Sequence, residues 1–361
     1  MSLPRLVPTR ARAVGAALAA ALAVTAPGTS APPAAAAPFV AATTATPGVG
    51  VTLVPQTFTD AHDMVWARGR LFVSAGDEVL VLDPQGKVRK RIKEVPDALG
   101  MAVSPTGDRV YVAVFAGARV DVIDTRRLKV IHRWQTDPCT ADVALAGSRL
   151  FYSTMSCFNK DASVKSIDAK KGGKPVSTGI HGFYDPILLA GGGTTLVAAD
   201  PDSHPITVTS YRVKGSKVSR QAAKDDNPTS LTTTRDGRTV YVTREYAPTV
   251  EGFPTSTLRH PVSYASPGGT PSSLAVRRDG RRLAVALTDA DDDLLVYRVG
   301  STSSSWSRST TRTGPQRPRP VPGTLTYSDD GKRLFELLAG PGGPDDPRSD
   351  HTRVYFATSR T

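Results

Sequence analysis

Short apolar strands alternate with polar turns along most of this chain. The clearest unit is Met101-Ala-Val-Ser-Pro-Thr-Gly-Asp-Arg-Val-Tyr-Val-Ala-Val114, continued by Val120-Asp-Val-Ile-Asp-Thr-Arg-Arg-Leu-Lys-Val-Ile131. Apolar runs of four to six residues bounded by Gly, Asp and Pro read as buried strands. The same unit recurs seven times. One such unit cannot bury its own two faces, so neighbouring copies must stack on one another.

The turn between the first two strands marks each copy. It reads Ser104-Pro-Thr-Gly-Asp-Arg109, Thr234-Arg-Asp-Gly-Arg238, Arg277-Arg-Asp-Gly-Arg281 and Ser328-Asp-Asp-Gly-Lys332, with weaker forms at Ala67-Arg-Gly-Arg70, Ala146-Gly-Ser-Arg149 and Gly191-Gly-Gly-Thr194. Asp and Gly tolerate the positive φ of tight hairpins. Taking Gly69, Gly107, Gly147, Gly193, Gly237, Gly280 and Gly331 as markers, the repeat is 38 to 51 residues long. That length suits a four-stranded propeller blade. The predicted fold is all-β: a seven-bladed β-propeller of four-stranded antiparallel blades.

Several residues also carry a family resemblance. Val240-Tyr-Val-Thr-Arg244 after Asp236-Gly237, Ala102-Val-Ser-Pro-Thr-Gly107 with Val122-Ile-Asp-Thr125, and Val79-Leu-Val-Leu-Asp83 resemble the YVTN β-propeller repeat. The resemblance runs from about residue 50 to the end. It implies a secreted or cell-surface seven-bladed propeller. The family shares no catalytic motif, so the resemblance implies no catalytic residue.

The chain ends suggest how the ring closes. The last unit supplies Thr324-Leu-Thr-Tyr327, Arg333-Leu-Phe-Glu-Leu-Leu338 and Arg353-Val-Tyr-Phe-Ala357 and then lacks a fourth strand. Val49-Gly-Val-Thr-Leu-Val54 is left over at the other end. It is predicted to be the outer strand of blade 7, which removes an exposed sheet edge.

The N-terminal region changes the expected setting. Arg5, Arg10 and Arg12 precede an apolar run of 14 residues, Ala13 to Ala26, followed by an Ala/Pro/Thr stretch. This pattern reads as a secretory signal, and the run is short for a membrane-spanning helix. The expected division is 1–42, signal peptide and processing region, and 43–361, propeller. The chain's formal charge of +12 falls to +9 without the first 42 residues, which hold three arginines and no acid. A basic exported domain is drawn to anionic surfaces. Expected partners are a protein, a glycan or an anionic cell-wall polymer. Nucleic acid is not expected, since no recognition motif is present and aromatics make up 6% of the chain. A monomer is expected, secreted or held at the cell envelope, with no transmembrane segment once the signal is cleaved.

Export permits disulfides. The two cysteines are Cys139, before the first strand of blade 3, and Cys157, after its second strand. In a meander both positions reach one face of the ring, so a disulfide is predicted. Chemistry is expected on that same face, where blade-entry loops and second-to-third-strand loops gather. Candidate ligand-binding residues there are His62, Asp63, His181, Tyr184, Asp185, Asp202, His204, Arg244 and Tyr246. His62, His181 and His204 are the candidates for proton transfer. Asp289, Asp291 and Asp293 place carboxylates at alternate positions, a pattern that suits a hard divalent cation, although Leu294 stands where an EF-hand loop needs glycine. No other cofactor is expected. A long insertion from Glu245 to Tyr264 is expected to carry Tyr246, Phe253, Arg259 and Tyr264 either over the channel mouth or into a protein contact.

No Gly-x-Ser-x-Gly, His-Glu-x-x-His, Cys-x-x-Cys or phosphate-loop pattern occurs in the chain. The sequence therefore favours a non-catalytic binding or scaffold module. The alternative is a propeller enzyme of lactonase or lyase type with a His/Asp site at the channel mouth.

Overall fold

A computed structural model describes residues 51–56, 58, 60–158, 160–201, 204–244, 247–288, 290, 293–309, 319–339 and 354–360. Among these residues every regular element is a strand. The strands form seven antiparallel sheets arranged as a propeller. The expected signal segment, 1–42, lies outside the described residues.

Blade 1 is the template: Ala61–Ala67, Arg70–Ala75, Glu78–Leu82 and Val88–Lys93, numbered from the axis outwards. The second strands are buried on both faces, as in Arg109–Val114 and Arg149–Thr154, which explains their unbroken apolar character. Outer strands are largely exposed. Val88–Lys93 carries the basic run of blade 1, where Arg89 pairs with Asp83 and Arg91 with Glu78. The core is a series of clusters at the seams between blades. One joins Phe72, Val79 and Val81 of blade 1 to Val110 and Val112 of blade 2.

The ring closes as the spare N-terminal segment predicts. Val51–Pro55 pairs antiparallel with Val354–Arg360, from Val51 opposite Ser359 to Pro55 opposite Tyr355. Arg333–Ala339 follows inwards, and the inner position is taken by two short strands, Arg319–Pro320 and Thr326–Tyr327. Thr326–Tyr327 in turn contacts the inner strand of blade 1.

The marker turns are held by their own side chains. The Thr234 hydroxyl donates to Asp236 Oδ1 at 2.6 Å, and the same oxygen accepts the Arg238 N–H. Ser328 and Asp330 repeat the arrangement with the Lys332 N–H. These bonds hold the Asp236 and Asp330 carboxyls below their ordinary range. The triple glycine of blade 4 has a different cause. A Cβ on Gly191 would lie 2.3 Å from the Leu145 carbonyl oxygen, and one on Gly192 2.2 Å from that of Thr234. Turns of blades 3, 4 and 5 are pressed together, with Gly147 N–H donating to Gly193 O and Gly193 N–H to Arg235 O.

Blade 5 corrects the expected insertion. Thr249–Pro254 is its third strand and Val262–Ala265 its outer one. Phe253 and Tyr264 are buried at opposite seams of the blade and do not cover the channel mouth. Gly252 makes this possible, because a Cβ there would sit 2.9 Å from the Tyr241 ring.

Candidate functional site

The inner strands enclose a channel of about 900 Å³, bordered by every blade. That is within the size range of small-molecule sites. At one end the hairpin turns narrow it. Arg235, on the turn of blade 5, donates from Nη2 to the Pro105 carbonyl on the turn of blade 2 at 2.8 Å. Those blades are not neighbours, so the guanidinium spans the mouth. Arg278 in the same rim pairs with Asp329 of blade 7. The opposite face carries the blade-entry and second-to-third-strand loops.

Two acidic residues border the channel at equivalent places. Asp63 and Asp142 are each the third residue of an inner strand, just after a β-bulge. Asp63 accepts the N–H of Met64 and, across the seam, the N–H of Met101 in blade 2, both at 2.6 Å. Asp142 accepts Val143 N–H at 2.7 Å and Leu189 N–H of blade 4 at 3.1 Å. Gly100 lies between them, and a Cβ on it would come within 2.5 Å of Asp142 Oδ1. Loss of solvation outweighs these hydrogen bonds. It pushes Asp63 up to about 7, with the Asp142 charge adding to the rise, and Asp142 up to about 6. Ser273 of blade 6 plays the same bridging part, its Oγ accepting the Gly323 N–H at 2.9 Å.

On the loop face, blade 3 presents an aromatic platform. Phe158 is 79% exposed, Phe183 58% and Tyr184 71%; with Val176 they are the large exposed apolar side chains among the described residues. Phe158 lies in the loop between the second and third strands, Phe183 and Tyr184 in the connection to blade 4. Both loops are braced. The Cys139–Cys157 disulfide, predicted above, ties the first loop to the blade entry, with Met155 N–H donating to Cys139 O. Ser156 N–H donates to Tyr184 O at 2.6 Å and Ala162 N–H to Phe183 O at 3.2 Å, joining the two loops to each other. Three apolar rings are thus held in water on a fixed frame.

The other candidates are scattered. His62 belongs to the inner strand of blade 1 and borders the channel, where burial lowers its basicity against the opposing effect of Asp60 and Asp97. His181 ends the outer strand of blade 3, opposite Ser163, at the far side of the blade from the axis. His204 and Asp185 are exposed on loops of the same face. Arg244 is held by Asp226 and Glu251, with Lys224 also on Asp226. Asp202, Tyr246, Asp289 and Asp291 lie outside the described residues; Asp293 is buried immediately before the strand Leu294–Arg298. Among the described residues no group of three His, Cys, Asp or Glu side chains is placed to hold a metal ion. Sequence reasoning named Tyr184 but missed Phe158, Phe183 and Asp142. The register of Asp142 against Asp63 within the repeat was the available signal.

No protein-family model matches the chain, and no curated protein matches it in sequence. Solved structures do resemble it in shape. A chain of the mitotic checkpoint complex superposes with a TM-score of 0.64 at 12% identity, covering 88% of this chain and 95% of that one. A chain of Kuenenia stuttgartiensis hydrazine synthase gives 0.59 at 16% identity, covering 78% and 94%. Kluyveromyces lactis Hsv2 gives 0.54 at 12%, covering 80% and 96%. The chain is a seven-bladed β-propeller. At these identities the likeness establishes the fold and nothing more. No helix among the described residues is long and apolar enough to cross a membrane.

Proposed function

We propose that this propeller is a secreted, YVTN-type, non-catalytic binding module that engages a protein partner at the cell envelope through the loop face of blade 3. The observation that carries this reading is the braced trio of Phe158, Phe183 and Tyr184. Rigid aromatic side chains bury large areas at small entropic cost, and such residues anchor protein interfaces. Bracing the loops beforehand also lowers the cost of binding. Among the similar propellers, one is a chain of a protein assembly, the mitotic checkpoint complex. The basic charge and the export signal in the sequence support a cell-envelope setting.

The test is capture from envelope extract with the immobilised domain, comparing the native chain with a Phe158→Ser/Phe183→Ser variant. A protein retained by the native chain and released from the variant supports the reading. Retention of glycan or anionic polymer alone, unaffected by the variant, contradicts it.

The lactonase- or lyase-type reading draws on Asp63 and Asp142, since perturbed carboxyls in a cleft mark catalytic sites in many proteins. Each carboxyl already accepts two backbone N–H groups and joins two blades, which favours a bracing role.

A further inference from the structure

The two faces of the ring differ in charge. Hairpin turns between first and second strands, and between third and fourth strands, lie on the face away from the blade-entry loops. Five of the seven second strands start on this face with arginine: Arg70, Arg109, Arg149, Arg282 and Arg333. The outer turns of blades 2, 3 and 4 place Arg126 with Arg127, Lys170 with Lys171, and Lys214 with Lys217 in solvent. The acids of these turns are held by the turn backbone. Asp124 accepts the N–H groups of Arg126 and Arg127, and Asp168 those of Lys170 and Lys171. That leaves one carboxylate against two exposed bases in each turn, and the turn of blade 4 has no acid. Ion pairs such as Arg277 with Asp279 neutralise part of the inner ring of turns. Counted with the strand residue at each end, no turn on this face holds more acids than bases. The loop face is the reverse, with Asp77, Glu94, Asp97, Asp161 and Asp225 exposed there.

The bases run from turns beside the axis to turns at the rim, so one end of the ring can set many of them against a planar anionic surface at once. The large exposed apolar side chains among the described residues all belong to blade 3, in its loop-face connections and its outer strand. The turns therefore expose no ring on which a nucleic-acid base could stack. Nor do they expose an apolar wedge that would enter the acyl region of a membrane. What remains is many-point charge attraction, which suits phosphate headgroups spread over a surface.

We propose that the turn face docks the propeller onto a bilayer of anionic phospholipid, with the acidic loop face directed away from it. The contact is peripheral and electrostatic. It uses no residue of the blade 3 platform and leaves that platform exposed, so the two surfaces are tested separately.

The experiment is co-sedimentation of the purified chain with phosphatidylcholine vesicles, with and without about 30% phosphatidylglycerol, at about 0.1 M and about 0.5 M salt. The expected result is retention on the anionic vesicles that falls at the higher salt. Arg126→Glu/Arg127→Glu and Lys170→Glu/Lys171→Glu should each weaken it about 10-fold or more. Lys90→Glu/Lys93→Glu makes the same change in net charge on the outer strand of blade 1 and should weaken it less than about 2-fold. The substituted turn side chains are exposed and their backbone N–H groups remain, and a thermal melt checks each variant; either turn variant carries the comparison if the other does not fold. Equal retention on the two kinds of vesicle overturns the proposal. So does an equal loss in the turn variants and the outer-strand variant, which would mark a response to net charge alone. Binding to heparin without retention on vesicles would assign the face to a polyanionic polymer and overturn it as well.

Discussion

Asp63 makes the stability of the ring depend on pH in a direction that can be worked out. Its folded pKa, about 7, lies above the ordinary carboxyl value of 3.8. Between those values the native state binds more protons than the unfolded state, so stability is greatest in acid and falls as pH rises. From about pH 5 to pH 8 the linkage relation gives a loss of about 2–3 kcal/mol from Asp63, and about 1–2 kcal/mol more from Asp142 at its pKa of about 6. The perturbation is Asp63→Asn. The amide cannot ionise, but its NH2 faces a backbone N–H where a carboxylate oxygen stood, so some stability is lost at every pH. The change with pH is therefore the quantity to read. Urea unfolding of the native chain and the variant at both pH values measures it. The native chain should lose about 2 kcal/mol more than the variant on going to the higher pH. Equal losses in the two proteins would show that Asp63 titrates as an ordinary carboxylate, and the account of its burial would fail.

Other parts of the ring give further expectations. Deleting Val51–Pro55 exposes the edge of Val354–Arg360 and removes Val51 and Leu53 from their contact with Leu338 and Ala357; a loss of about 4 kcal/mol, near 8 °C in Tm, should appear in a thermal melt. Breaking the Cys139–Cys157 bridge, which spans 18 residues, should cost about 3 kcal/mol, seen as a lower Tm in reductant that is absent from a Cys139→Ser/Cys157→Ser variant. Gly192→Ala drives a methyl to 2.2 Å from the Thr234 carbonyl oxygen, so a destabilisation of about 2–3 kcal/mol should follow in urea unfolding.

Much of the architecture was legible because its determinants are local. Thr234, Asp236 and Gly237 build their turn within a few residues, and the unbroken apolar runs identify second strands wherever they occur. Blade 5 was misread where tertiary packing overrides local pattern. Gly252 breaks the apolar run that would have marked a strand, yet it is there to admit the Tyr241 and Tyr264 rings. The site was less legible. Asp142 looks like an interruption of an apolar strand until the ring brings Leu189 N–H to it from 47 residues away. His181 was expected in a loop, and a bulged ten-residue outer strand extends to include it. Phe158 and Phe183 carry no motif at all. Their exposure is a property of the loop face, and apolar residues in sequence read first as core.

The measurement that bears most directly on the proposed function is a hydrogen-exchange footprint of the captured partner on the intact propeller. Slowed exchange at the amides of 155–158, 160–162 and 181–187, with blades 5 and 6 unchanged, is the predicted result. Protection centred on the turns around Arg235 and Arg278, or within the channel, would contradict the assignment of the blade 3 face.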